Sequence, residues 1–284
     1  MKVGLVGQKD NPRARSLVTS IGRSLVDREI AVAVDTVTAD ALGADGTGGG
    51  PDFDPVPVEI DDIDQCDLVV SIGGDGTFLF AARGVGQTPI VGVNLGEVGF
   101  LNAVPPDDAI GVVNEVVSNL RSGATDVHTM PRVRASGDGW SLPPALNEIV
   151  IQGPQRGHGN GIGVTVRVDG SLYTSGHADG VLTATPTGST AYNLSEDGPL
   201  VHPAVDGLVV TEMAAELEMP PLVVDGESEI TVRVEDEDSA TVVSDGRISR
   251  RVEPPTQVTI RRADDPVRVA GPSLDFFTAL GKLE

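Results

Sequence analysis

Residues 68–82 read Leu-Val-Val-Ser-Ile-Gly-Gly-Asp-Gly-Thr-Phe-Leu-Phe-Ala-Ala, and this stretch combines a strand, a tight turn and a helix. The unbroken apolar run Leu68–Ile72 predicts a buried strand, and Phe78–Ala82 is typical of a helix. Gly73–Thr77 lies between them, at the carboxyl end of the strand, where parallel α/β sheets bind their ligands. The stretch therefore predicts an α/β sheet with a binding turn at one edge.

Similar units surround this stretch in the first part of the chain. Apolar runs at Val3–Val6, Ile30–Val34 and Ile90–Val93 predict three more buried strands. Asn11-Pro12 is typical of a helix start, because Asn caps free amides and Pro suits the first helical position. Residues 39–58 are rich in Gly, Asp and Pro, so we expect a surface loop there. Strands that alternate with helices predict a parallel sheet with helices on its faces.

The pattern changes beyond residue 122, where β-branched runs separated by turns replace the alternating units. These runs are Val164–Val168, Ile230–Val234, Thr241–Val243 and Val258–Ile260. They predict a second, mostly antiparallel β domain. We place the boundary near Val104-Pro105-Pro106, with an α/β domain at residues 1–104 and a β domain at residues 105–261.

A second polar stretch, Thr-Pro-Thr-Gly-Ser-Thr-Ala-Tyr at residues 185–192, follows the apolar run Gly180–Ala184. So many hydroxyls make a poor core segment but suit a ligand rich in hydroxyls and phosphates. Thr187 or Ser189 could cap a short helix after the strand, and a helix N-terminus attracts anions. The alternative is an ordinary Thr-rich turn between a strand and a helix.

The charge of the chain is unusual. The formal net charge is -22, the pI is about 4.3, and the carboxylates are dispersed along the sequence. Dispersed acid with little lysine predicts a protein of a salt-rich cytoplasm, where roughly molar salt shortens the Debye length to about 3 Å. The same charge argues against nucleic acid as a partner. With Cys66 alone, without a signal-peptide pattern and without an apolar run of membrane-spanning length, we expect a cytoplasmic protein that does not bind membranes.

Gly73–Thr77 places one carboxylate among three glycines. Glycines let the backbone approach a ligand closely and direct amide groups toward phosphate oxygens. An acid in such a loop needs a task of its own, such as accepting a proton or holding Mg²⁺. An ordinary Asp-Gly turn is the alternative, and the loop lacks the Lys-[Ser/Thr] ending of a Walker loop.

Taken together, these motifs resemble the NAD kinase family, which phosphorylates the adenosine 2′-hydroxyl of NAD to make NADP. The resemblance rests on Gly73–Thr77, Asn147-Glu148 and Thr185–Tyr192. It also includes Asn94-Leu95-Gly96 with Gly99-Phe100-Leu101, His177-Ala178-Asp179-Gly180 and Ser244-Asp245-Gly246, in matching order over most of the chain. It implies ATP or polyphosphate as phosphoryl donor, Mg²⁺ as cofactor, and a homodimer or homotetramer with a shared active site.

The resemblance also implies roles for individual residues. Asp75 matches the catalytic general base. Asn147 and Glu148 match a pair that binds the dinucleotide, with Glu148 on ribose hydroxyls, and Asp179 matches an acid near the nicotinamide. The remaining binding residues implied are Gly73, Gly74, Gly76, Thr77, Thr187, Ser189, Thr190, Ala191, Tyr192, Asn193, Leu194 and Ser195.

Two positions depart from the family pattern. His177 stands where many members carry Arg, and Arg247 stands where Gln is frequent; both remain candidate ligand contacts. The family further implies that the tail, residues 262–284, packs back on the first domain. Two other functions compete with this interpretation: a non-catalytic sensor of NADP, and a lipid or sugar kinase that shares the glycine-Asp turn.

Overall fold

The structure, a computed structural model, describes residues 1–43, 55–96, 99–154, 161–215, 219–235 and 238–281. The chain divides into two compact units. The first comprises Met1–Met130 together with the segment that begins at Val267, and the second comprises Pro131–Pro266. The predicted class, an α/β domain followed by a mostly antiparallel β domain, is confirmed.

The elements up to Met130 are β1 (Lys2–Gly7), α1 (Pro12–Val26), β2 (Ala31–Asp35), α2 (Thr36–Gly43), β3 (Val56–Val58), β4 (Leu68–Gly73), α3 (Asp75–Gly84), β5 (Ile90–Asn94), α4 (Ala109–Ser122) and β6 (Val127–Met130). The elements after it are β7 (Val133–Gly137), β8 (Trp140–Ser141), β9 (Glu148–Gln152), β10 (Ile162–Val168), β11 (Ser171–Ala178), β12 (Gly180–Ala184), α5 (Tyr192–Ser195), β13 (Gly207–Met213), β14 (Leu222–Asp225), β15 (Ile230–Val234), β16 (Ala240–Ser244), β17 (Ile248–Val252), β18 (Thr256–Arg262), β19 (Val267–Ala270) and α6 (Phe276–Leu280). Short 3₁₀ helices lie at Ile60–Gln65, Pro106–Asp108 and Thr187–Thr190.

The first unit is built on a seven-stranded sheet in the order β3-β2-β1-β4-β5-β19-β6. Its strands are parallel except β6, which pairs antiparallel with β19. The strands β1 and β4 lie side by side at the centre, so the turn after β4 emerges from the middle of the sheet. The central position and the burial of both strands explain why they read as continuous apolar runs.

Two predictions about this unit need correction. The first unit continues past residue 104, because Val113 and Val117 of α4 are buried in its core and β6 joins its sheet. The predicted loop at residues 39–58 contains the end of α2 and the strand β3, which pairs with β2. Residues 44–54 of that stretch lie outside the described residues.

The second unit contains two six-stranded antiparallel sheets, in the orders β11-β10-β15-β18-β7-β8 and β14-β13-β12-β9-β16-β17. Alternate residues of both sheets, among them Ile151, Val164 and Val242, form one buried core. This unit extends past the predicted end at residue 261, since Asp265 accepts a hydrogen bond from the buried Arg132 at 2.5 Å.

The tail leaves the second unit and completes the first. β19 lies between β5 and β6, and Phe276 of α6 is buried with its ring 6.3 Å from that of Phe100. The tail from Val267 onward therefore belongs to the first unit, whereas residues 262–266 of the tail that the resemblance implies belong to the second. Within the described ranges, every helix is too short or too polar to cross a membrane.

Candidate active site

The glycine turn of the first unit joins β4 to α3. Gly74 precedes the helix, and its carbonyl accepts the amides of Thr77 and Phe78 at 2.9 and 3.2 Å. The amides of Asp75 and Gly76 therefore belong to the first turn of a helix, where backbone donors and the helix dipole favour an anion. Gly73 is required by space, because a Cβ there would lie 2.4 Å from Thr77 Oγ1.

The carboxylate of Asp75 is held by three donors. Its Oδ2 accepts the amide of Phe100 at 2.8 Å, and its Oδ1 accepts the amide of Leu101 and Nδ2 of Asn102, each at 3.2 Å. Burial raises the pKa of the Asp75 carboxyl, and these hydrogen bonds oppose that rise. A carboxylate fixed in orientation and made more basic by burial is suited to accept a proton from a hydroxyl.

The sequence motif explains only part of this arrangement. Gly99-Phe100-Leu101 belongs to the family resemblance, but its contact with Asp75 depends on the fold. Asn102 carries no signal in the sequence at all. The amides of Phe100 and Leu101 and the side chain of Asn102 reach Asp75 because the segment after β5 folds back beside β5. There the amide of Val104 donates to the carbonyl of Gly92 at 3.0 Å.

In the second unit, the hydroxyls of Thr185, Ser189 and Thr190 bind groups within the protein. Ser189 and Asn193 are both 0% exposed. Ser189 Oγ lies 2.7 Å from the carbonyl of Pro186 and accepts the amide of Val201 at 3.0 Å. Asn193 Oδ1 accepts the hydroxyl of Thr211 at 2.9 Å. These side chains hold the segment in shape, so they would support a ligand site from behind.

The predicted capping role of Thr187 or Ser189 is wrong. The helix α5 has only four residues, and in the described part of the chain neither Thr187 nor Ser189 caps it or the 3₁₀ helix before it. Instead Thr185 Oγ1 accepts the amide of Gly188 at 3.1 Å and donates to the carbonyl of Leu146 at 2.6 Å. Hydroxyls that satisfy nearby backbone groups in this way compete with helix formation.

Gly188 brings the segment against the start of β9. A Cβ at this position would lie 2.1 Å from the carbonyl oxygen of Asn147, and the amide of Thr185 donates to that same oxygen at 2.9 Å. Only glycine permits this approach. The contact places the segment beside Asn147 and Glu148, which are far away in the sequence.

Glu148 lines a cavity of about 350 Å³. The residues that line the cavity are Glu148, Val150, Gln152, Tyr192, Thr241, Val243, Gly246, Arg247 and Ser249. Glu148 is only 5% exposed, and its Oε2 is buried with no hydrogen-bond partner among the described residues. A buried acceptor without a partner is costly, so this oxygen is suited to receive a donor from a ligand.

The environment of Glu148 disfavours its charge. Burial and the negative charge of Asp245 raise the pKa of Glu148 to about 8, against a lowering by the amide of Tyr192. Near neutral pH the ligand-free protein therefore carries this carboxyl largely protonated.

This protonation predicts a specific pH dependence of stability. Between the usual pKa of Glu and a folded pKa of about 8, the folded state holds a proton that the unfolded chain has released. Rising pH therefore destabilises the wild type, and the loss is complete above the folded pKa. The side chain of Glu148→Gln does not titrate. We therefore expect the unfolding free energy of this variant, relative to that of the wild type, to rise by up to about 1.4 kcal/mol per pH unit in that window.

The measurement is thermal or urea unfolding of ligand-free protein from pH 5 to pH 9.5 at constant molar KCl. Glu253→Gln removes an exposed carboxylate from the same unit and controls for the change in net charge. A difference between Glu148→Gln and wild type that stays constant with pH would show that Glu148 titrates normally.

The other predicted residues divide by location. Arg247 lines the cavity with Glu148 and Tyr192. His177 is exposed on β11, and Asp179 is buried at the junction of β11 and β12; neither lines this cavity as far as the chain is described. Residues that keep part of their surface exposed are Thr190, Ala191, Tyr192, Leu194 and Ser195.

Comparison with known proteins identifies the family of this chain. A family model of the ATP-NAD kinase N-terminal domain matches residues 3–120, and one of the ATP-NAD kinase C-terminal domain matches residues 146–271. An NAD kinase of Haloarcula marismortui is 59% identical over 284 residues, which is the whole of both chains.

Solved structures give the same result. An Archaeoglobus fulgidus NAD kinase in complex with ATP is 27% identical with a TM-score of 0.77, covering 100% of this chain and 98% of that chain. A yeast NADH kinase complexed with NADH shares the fold at 23% identity with a TM-score of 0.83, covering 100% and 87%. With matches of this extent to both domains and to full-length relatives, the chain belongs to the NAD kinase family.

Proposed function

We propose that this kinase transfers a terminal phosphoryl group from ATP to the 2′-hydroxyl of the adenosine ribose of NAD, giving NADP. The observation that carries the proposal is Asp75, a partly buried carboxylate fixed by three donors at a glycine-rich helix start. A ribose hydroxyl is a weak nucleophile, so a positioned base is needed at the reacting oxygen. Asp75 would accept that proton, and the amides of Asp75 and Gly76 would bind donor phosphate oxygens.

The second unit would bind the dinucleotide. Glu148 would accept hydrogen bonds from ribose hydroxyls through its buried oxygen, and Asn147 would bind the dinucleotide beside it. Tyr192 and the exposed part of residues 190–195 would line the adenosine, and Arg247 would meet a phosphate. Gly73, Gly74 and Thr77 would shape the donor turn in the first unit. Thr187, Ser189 and Asn193 would act as the frame behind these contacts. Asp179 would serve the nicotinamide end, and His177 would contact a phosphate where many family members use Arg.

Mg²⁺ enters this proposal with the donor. Among the described residues, no group of three or more His, Cys, Asp or Glu side chains could hold a metal. Mg²⁺ commonly binds through substrate phosphates and one or two carboxylates. The residues therefore fit a metal that arrives as the Mg·ATP complex and neutralises charge on the transferred group.

The test is a donor and acceptor comparison with purified protein in molar KCl. We expect NADP to form from NAD with Mg·ATP, measured with an NADP-specific dehydrogenase. Faster turnover with polyphosphate than with ATP would show that polyphosphate is the preferred phosphoryl donor. Absence of NADP with either donor, combined with tight NADP binding, would instead support a non-catalytic sensor, and phosphorylation of a lipid or sugar would support the third alternative.

The acidic residue Asp179, which the family resemblance puts near the nicotinamide, suits a positively charged ring, so we propose that NAD is preferred over NADH. Equal turnover of NAD and NADH would contradict this preference.

We further propose that the protein is a homodimer or homotetramer and works in a salt-rich cytoplasm. Light scattering in molar KCl would measure the number of subunits.

A further inference from the structure

Asp245 occupies a special turn between β16 and β17. The carbonyl of Ser244 accepts the amide of Arg247 at 3.1 Å, and the two central residues, Asp245 and Gly246, have φ angles of 46° and 64°. Positive φ is uncommon outside glycine, and Asp and Asn are among the residues that tolerate it best. The turn directs the Asp245 carboxylate back toward the start of β9.

There the carboxylate binds three consecutive amides. Its Oδ2 accepts the amide of Leu146 at 2.9 Å, and its Oδ1 accepts the amides of Asn147 and Glu148 at 2.8 and 3.4 Å. The amide of Asp245 donates in return to the carbonyl of Glu148 at 3.1 Å. The side chain of Asp245, in the turn between β16 and β17, therefore fixes the backbone that carries the Glu148 side chain.

Other polar and charged groups also lie around Glu148. Tyr192 donates its amide to the carboxyl, and Arg247 lines the same cavity. Arg132 acts electrostatically on Asp245 from the side of β7 and is bound to Asp265. Asp245 is thus the negative charge that bears most directly on Glu148.

We propose that Asp245 is a positioning residue of the dinucleotide site, which fixes the Leu146–Glu148 backbone and controls the charge with which Glu148 meets a ribose hydroxyl. This inference rests on the proposed binding role of Glu148. An anionic Glu148 is a stronger acceptor than a protonated one. Dinucleotide binding near neutral pH then requires release of a proton from Glu148, and Asp245 sets the pH at which that release occurs.

The test is the steady-state kinetics of Asp245→Asn at several pH values. Asn tolerates positive φ, so the turn remains, while the negative charge is lost and one amide loses its acceptor. We expect KM for NAD to rise about tenfold at high pH, the size expected for the loss of one hydrogen bond to a charged group, with kcat changed little. The wild-type KM should fall as pH rises through about 8, and this inflection should move to lower pH in the variant.

A matched control exists in the same unit. Asp169 and Gly170 form a turn between β10 and β11 with φ angles of 49° and 79°, and Asp169 accepts the amide of Glu229 at 2.8 Å. Asp169→Asn therefore makes the same chemical change in the same kind of turn, away from the cavity. We expect it to leave both KM and its pH profile unchanged.

A double-mutant cycle separates positioning from general stabilisation. If Asp245 acts through Glu148, Asp245→Asn should change KM by less than about twofold in a Glu148→Gln background. An equal rise in both backgrounds would overturn the inference. An unaltered KM and pH profile in Glu148→Gln itself would instead overturn the proposed role of Glu148, and the inference with it. Should Asp245→Asn fail to fold, Asp245→Gly keeps the positive φ, removes the carboxylate and is subject to the same criteria.

Discussion

Asp75→Asn is expected to lower kcat for NAD phosphorylation by about 10²–10⁴-fold, the usual contribution of a positioned general base. An amide cannot accept the ribose proton at neutral pH. The change also places an NH₂ group among three donors, those of Phe100, Leu101 and Asn102, so some loss of stability accompanies it. Measurement of kcat and KM, together with the melting temperature and NAD binding by calorimetry, separates the two effects.

Asp35→Asn is the matched control for this experiment. Asp35 is a carboxyl of the same unit that is 2% exposed, and it accepts the amides of Val37 and Thr38 at the start of α2. Burial raises its pKa as it does for Asp75. We expect Asp35→Asn to melt earlier while kcat stays near that of the wild type. Retention of more than a tenth of wild-type kcat by folded Asp75→Asn would exclude Asp75 as the general base.

Dilution from molar to about 0.1 M KCl is expected to unfold or strongly destabilise the protein. The 42 acidic residues exceed the 20 basic ones by 22, so complete pairing is impossible. The Debye length rises from about 3 Å at 1 M to about 10 Å at 0.1 M, and repulsion between surface carboxylates then opposes the compact state. A loss of several kcal/mol would lower the melting temperature by roughly 10 °C or more.

Differential scanning calorimetry over a KCl series checks this expectation. Sucrose at matched osmolality serves as the control, because it stabilises folded proteins by exclusion from their surface but screens no charge. A melting temperature that is independent of KCl, or one that sucrose restores fully at low salt, would argue against electrostatic screening as the basis of the salt requirement.

Local patterns in the sequence are sufficient for several elements of the first unit, although not for α2 and β3. Asn11 caps α1 through the amides of Arg13 and Ala14, as predicted, because an N-cap depends on residues two or three positions apart. The strand, turn and helix at residues 68–84 likewise follow from one continuous pattern. For the same reason the glycine turn with its single carboxylate is identifiable as a candidate site from the residue pattern alone.

The α/β and β classes, the family resemblance and the motifs at Asp75, Glu148 and Tyr192 can all be recognised in the residue pattern. The contacts that these motifs make within each unit follow from the folded arrangement of the strands. The hydroxyls of Thr185 and Ser189 proved to bind backbone groups rather than face outward, and Asp245 proved to hold Glu148 across 97 positions of the chain. The insertion of β19 between β5 and β6 likewise joins segments that are far apart in the sequence. Such contacts depend on which strands become neighbours, and burial and pKa depend on everything packed around a group, so neither is encoded in any local stretch of residues.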